Sequence, residues 1–137
     1  MPLGEHHARL CPCGSGVEFH GCCQPVMANR SAETAEALMR SRYVAFVLGD
    51  ANYLLATWHP ANRPRSLEFD VEQRWLGLRI KRTEKGLPGD DEGIVEFVAR
   101  YKIQGRGYRL HEVSRFIRER GKWLYVEGEL LQKPPLT

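Results

Sequence analysis

Trp75-Leu76-Gly77-Leu78-Arg79-Ile80-Lys81 is the stretch where this chain changes period. Leu76, Leu78 and Ile80 alternate with Gly77, Arg79 and Lys81, the period of two of a strand with one apolar face. Val95, Phe97, Ala99, Tyr101 and Ile103 repeat the alternation downstream. Between the two, Gly86, Pro88, Gly89 and two aspartates within 84–93 predict an exposed hairpin connection. Gly105-Arg106-Gly107 turns the chain into a third strand, about 108–119, and Arg120-Gly121 turns it into a last one, 122–130. The last two strands carry apolar groups on both faces, Leu110 and Phe116 against Val113 and Ile117. A curved sheet with helices on its concave side and partial cover behind accounts for that.

Upstream the period is helical. Ser31 or Thr34 can cap a helix running to about Leu48, with Ala35, Leu38, Met39, Arg42, Tyr43 and Phe46 on one face. Gly49 ends it, and Asp50 caps a short second helix through Tyr53, Leu54 and Leu55. That helix stops at Trp58-His59-Pro60, because a residue before proline avoids the α region. Residues 62–69 are polar and proline-broken, and Gln24 to Arg30 reads as a connector in which Pro25 blocks helix. Helices followed by an antiparallel four-strand meander define an α+β fold, with the N-terminal helices packed on a curved four-stranded sheet.

All four cysteines lie ahead of this unit, in Cys11-Pro12-Cys13-Gly14-Ser15-Gly16 and Cys22-Cys23. Thiols grouped in this way in a chain without an export signal read as metal ligands. Zn²⁺ is the metal that accepts four sulfurs tetrahedrally without redox chemistry. Gly14 and Gly16 can take positive φ and fold the loop back toward the sulfurs. The competing reading is a set of reduced thiols or one strained disulfide between neighbours. With four protein ligands there is no open position for water, so the expected ion is structural. His6, His7 and His20 are spare ligands at most, and solvent exposure is the expectation for them.

The chain has 137 residues, 42% of them hydrophobic, enough for one cored domain plus a small appendage. Four thiolates around one Zn²⁺ add two negative charges, which takes the formal charge from +3 to about +1. Little general attraction to nucleic acid or anionic membrane follows. No apolar run reaches the length of a membrane span, and residues 1–7 lack the layout of a signal peptide. A reducing cytoplasm is the expected compartment.

The string CPCGSG…F…CC resembles the SEC-C motif, named for the tail of the SecA translocation ATPase. The resemblance implies one zinc on Cys11, Cys13, Cys22 and Cys23. The helices, Trp58-His59-Pro60, His111 to Phe116 and Gly121 to Gly128 resemble a nuclear-transport-factor-2-like (NTF2-like, SnoaL-like) domain, a cystatin-like cone. The SEC-C motif, Thr34 to Tyr43, Thr57 to Pro60 and the C-terminal pattern together are similar to the YchJ family of bacterial proteins, to which no reaction is assigned. Some relatives carry a second SEC-C motif at the C-terminus, which is not seen here. The expected organisation is a SEC-C zinc segment over 1–27 and the cone over 28–137.

No catalytic set is legible. Candidates for a pocket in the cone are Arg42, Tyr43, Trp58, His59 and His111, with Asp70, Glu72 and Glu112 as carboxylates. A histidine–carboxylate pair in a dry pocket would be a general base, as in an isomerase, dehydratase or hydrolase. His111 and Glu112 are adjacent on a strand and point to opposite faces, so they cannot form it. The plainer readings are Trp58 and Tyr43 as core, His59 as a helix-end cap, and Arg40 and Arg42 as partners of Glu36 or Glu33. The SEC-C motif of SecA is implicated in engaging an acidic chaperone partner and the ribosome. The resemblance therefore favours a binding module, its zinc segment docking a protein or ribonucleoprotein. Direct nucleic-acid binding is not expected, since no helix carries a basic stripe and no aromatic row alternates with Arg or Lys. A homodimer through the sheet is a further expectation.

Overall fold

The computed structural model describes residues 9–131. His6 and His7 lie outside them.

Helix α2 (Ala35–Leu48) is the element on which the rest is built. Thr34 caps it, its Oγ1 accepting from Ala37 N at 3.0 Å, and Gly49 closes it at φ 73°. Asp50 caps α3 (Ala51–Ala56) in the same way, its carboxylate accepting from Tyr53 N at 3.0 Å. The buried side chains of α2 include Leu38, Tyr43, Val44 and Ala45. They meet Val95, Phe97, Phe116 and Trp123 from the sheet, and these residues form the core. Helices on one face of a curved antiparallel sheet confirm the α+β cone expected from the sequence.

The sheet is a plain meander, β1 (Gln73–Lys85), β2 (Glu92–Ile103), β3 (Arg106–Glu119) and β4 (Lys122–Leu130), in that spatial order. The turn between β2 and β3 is Gln104-Gly105, one residue earlier than expected. Both residues have positive φ, 51° and 79°, as a two-residue hairpin turn of the right twist demands. Arg120-Gly121 repeats the pattern at 52° and 78°.

Two expectations fail locally. Leu76 does not face the core. A bulge between Trp75 and Gly77 leaves Leu76 unpaired and 48% exposed, so Trp75 turns inward with Leu78 and Ile80. Residues 24–30 are not an irregular connector. Helix α1 (Cys23–Asn29) occupies most of them and runs across residue 27, where the division into segment and cone was expected. Pro25 is tolerated because it sits in the first turn, where backbone N–H groups have no partner inside the helix.

After α3 the chain runs beside β4. Tyr125 N donates to Thr57 O at 2.8 Å and His59 N donates to Tyr125 O at 2.8 Å. These two bonds fix Trp58 against Tyr125, with ring centroids 5.2 Å apart and nearly perpendicular.

Candidate functional site

The cysteine loop is a narrow reversal. Cys11 N donates to Val17 O at 2.8 Å and Phe19 N to Arg9 O at 2.8 Å, while Gly14 and Gly16 turn at φ 82° and 84°. A short 3-10 turn, Phe19–Gly21, delivers Cys22 and Cys23 to the start of α1. The four Sγ atoms then lie within 4.8 Å of one another, with Cys13 and Cys22 3.7 Å apart and Cys22 and Cys23 4.0 Å apart. Sulfurs at the corners of a tetrahedron with metal bonds of about 2.3 Å would be about 3.8 Å apart. Cys11, Cys13 and Cys23 are buried and none of the four is in a disulfide. The cluster therefore fits a metal ion.

The charge on the sulfurs is unevenly held. The Cys23 thiol hydrogen-bonds to Cys13 and holds its pKa down to about 4, while that same contact drives Cys23 upward. Burial pushes Cys11 up. Clustered sulfurs, three of the four buried, are the arrangement a cation would stabilise, by letting all of them lose their protons.

Arg40 ties this loop to α2. Its Nη1 donates to Cys13 O at 2.8 Å and lies 3.7 Å from Cys13 Sγ, while its Nε donates to Glu36 at 2.9 Å. The Glu36 pairing was expected from the i,i+4 spacing. The bond to Cys13 was not, and no local pattern encodes it, because it links positions 27 residues apart. Cys11, Cys13 and Cys23 also belong to one apolar cluster with Leu38 and Tyr43. His20 is exposed beside Glu18, 3.2 Å away.

A second feature lies under α2, on the concave face of the sheet. A cavity of about 190 Å³ is lined by Arg42, Tyr43, Trp58, Trp75, Glu112 and Tyr125 among others. Arg42 is buried, 3% exposed, and makes no pair with Glu33 or Glu36. Instead its Nη1 donates to Leu54 O at 2.8 Å and Thr57 Oγ1 at 2.7 Å. Its guanidinium lies 4.9 Å from the centre of the Trp58 ring and 4.5 Å from that of Tyr125, and burial lowers its pKa to about 10. Burial likewise raises Tyr43 to about 12. Glu112 Oε2 accepts from Ser114 Oγ at 2.6 Å and Tyr125 Oη at 3.2 Å. Gly128 leaves room for that carboxylate, since a Cβ there would fall on it.

His59 and His111 do not line this cavity. Each faces a carboxylate, but elsewhere. His59 Nε2 is 3.2 Å from Glu119, and its Nδ1 accepts from Ala61 N at 3.1 Å, so it caps the turn that follows rather than α3. His111 Nε2 is 2.7 Å from Glu96, and its register partner Val98 lies between inward-facing Phe97 and Ala99, which puts the histidine on the convex face. Asp70 caps the turn into β1, accepting from Glu72 N at 2.8 Å. The sequence reading missed Tyr125 and Ser114. Their period-two placement with Phe116 and Trp123 puts them on the concave face, a signal the alternation of these two strands carries.

The convex face carries its own groove, about 220 Å³, which Arg79, Lys81, Arg100 and Arg109 line from three strands. Leu78 is among its lining residues, and the Leu78 carbonyl lies beside Gly14 of the cysteine loop, where a Cβ would be 2.9 Å from it.

A four-cysteine loop sealed onto a helix-and-sheet cone defines the class: an NTF2-like domain preceded by a cysteine motif. Residues 34–128 match the family described as YchJ, middle NTF2-like domain. The chain belongs to the YchJ family. It is similar to a UPF0225 protein of Chromobacterium violaceum, 52% identical over 123 residues that cover 86% of this chain and 90% of the relative. The solution structure of a SEC-C motif containing protein from Rhodopseudomonas palustris superposes with a TM-score of 0.76 at 40% identity, covering 89% of this chain and 98% of that one. A crystal structure of a SEC-C motif containing protein from Psychrobacter arcticus gives 0.72 at 25% identity, covering 93% and 85%. No helix among the described residues is long and apolar enough to cross a membrane.

Proposed function

We propose that the chain is a zinc-stabilised binding module of a reducing cytoplasm, docking a ribonucleoprotein with the cysteine segment and the convex groove beside it. Zinc is the ion that four sulfurs in this geometry suit, and with four protein ligands its role is structural. The observation that carries the docking is the nearness of the two surfaces: the backbone carbonyl of Leu78, one of the residues lining the groove with its four cations, lies beside Gly14 of the loop. Among the described residues none of those four cations has an ion-pair partner, so phosphate oxygens could take them. The four cations come from three strands, which is why no basic stripe shows in the sequence.

Two measurements test this. Native mass spectrometry of anaerobically purified protein is expected to show one zinc per chain, and a bare polypeptide mass would overturn the metal. Sedimentation with purified ribosomes is expected to be lost, by roughly tenfold at ~0.15 M salt, in Arg79→Glu/Arg109→Glu with zinc retained. Unchanged sedimentation would overturn the docking surface.

A further inference from the structure

We infer that the concave cavity binds a small monocarboxylate with a flat apolar body, its carboxylate received by Arg42 and the indole N–H of Trp58. This site is separate from the docking surface. Ala99 lines the concave cavity while its neighbours Val98 and Arg100 line the convex groove, so the two lie on opposite faces of the sheet.

The first argument is an orphan donor. Trp58 Nε1 is buried and has no hydrogen-bond partner among the described residues, and Trp58 lines the cavity. Buried polar groups are nearly always paired, so an unpaired one in a cavity wall points to an acceptor that arrives with a ligand. The second argument is an unbalanced charge. Arg42 is buried, and among the described residues no carboxylate lies within ion-pair distance of it. Its two bonds, both from Nη1, go to neutral oxygens. Burial disfavours the charged guanidinium, and an anion in the cavity would restore its balance.

Glu112 does not play that part. It lines the same cavity and its charge is felt by Arg42, but the two form no ion pair among the described residues, and its Oε2 is taken by Ser114 and Tyr125. Both residues line the one cavity, and the Arg42 guanidinium sits over the Trp58 ring, its carbon 4.9 Å from the ring centre. A carboxylate has two oxygens and can serve both donors.

Size and walls set the rest of the ligand. An apolar cavity of ~150 Å³ holds benzene, and about 190 Å³ here leaves room for one further small group. Phe46, Trp75, Phe97 and Leu110 complete the wall, a surface suited to a flat ring.

The test uses the full-length metallated protein, labelled with ¹⁵N, and reads its indole resonances during titration with benzoate, then with benzamide as the neutral isostere. Trp58→Phe assigns the resonance and removes the donor while keeping a ring for Arg42. Ala99→Leu fills the cavity without touching Arg42. Benzoate is expected to saturate and to move the Trp58 N–H downfield, with benzamide weaker by roughly tenfold or more. Trp58→Phe is expected to weaken benzoate, and Ala99→Leu to abolish its binding. Benzamide within about tenfold of benzoate would overturn the role of the cation. Absence of saturable benzoate binding, or binding untouched by both substitutions, would overturn the site itself.

Discussion

Arg40 shows what a single side chain does at the junction of the two parts. From a sequence it is a solvated member of an i,i+4 pair with Glu36, and half of that reading holds. The other half of its bonding capacity goes to the Cys13 carbonyl and sulfur. A hydrogen bond from a charged donor contributes roughly 1.5–3 kcal/mol, and groups that orient metal ligands typically change metal affinity 10–100-fold. Arg40→Ala is therefore expected to lower zinc affinity by about tenfold or more in chelator competition. It should also cost about 2 kcal/mol in denaturant unfolding. Arg40→Leu keeps the stem packed and separates the two contributions. If both variants held zinc as tightly as the parent, the tie to Cys13 would carry no weight. The four cysteines were legible because their chemistry is local. Arg40 and Tyr125 were not, because what they touch is decided by how α2 and β4 are placed.

At the scale of elements, the hairpin between β1 and β2 shows where period and turn chemistry suffice and where they stop. Its glycines and aspartates mark it as a loop. They do not reveal that it folds over the start of α2, where Ala35 N donates to Gly86 O at 2.9 Å. At Gly93 a Cβ would lie 2.5 Å from Gly86 Cα and 3.1 Å from Ala35 Cβ. Neither neighbour can swing aside, the first being backbone and the second a methyl on a capped helix turn. Gly93→Val is thus expected to destabilise the fold by ~2–4 kcal/mol through backbone displacement, read as a lower denaturant midpoint. Gly89→Ala, in open space on the same hairpin, should stay within about 0.5 kcal/mol of the parent. Equal effects of the two would show that the hairpin does not press on α2. The same limit explains Leu76 and α1. A bulge inverts the face of a strand without changing its composition, and a proline that stops a helix from within is harmless in its first turn.

For the whole molecule, the question is whether a metal held by the four cysteines would support a separate appendage or the entire fold. Cys11, Cys13 and Cys23 share an apolar cluster with Leu38, Tyr43, Phe97 and Phe116, and α1 connects to α2 with only 30–34 between them. Lys122 Nζ, at the start of β4, also donates to Arg30 O at 2.9 Å, closing the end of α1 against the sheet. A small segment with its own stability would melt alone on metal removal and leave the cone unchanged. A segment that shares the core should take the cone down with it. Binding to the native state alone contributes RT ln(1 + [M]/Kd), about 4 kcal/mol at a thousandfold excess over Kd. Chelation is therefore expected to shift one cooperative transition by several degrees, as seen in far-ultraviolet circular dichroism, without splitting it. Amide exchange in α2, at Leu38 and Met39, should accelerate along with exchange in α1. If α1 lost protection while α2 and the sheet kept theirs, the metal would belong to an appendage. The shared cluster of sulfurs and core side chains would then be a contact without energetic coupling.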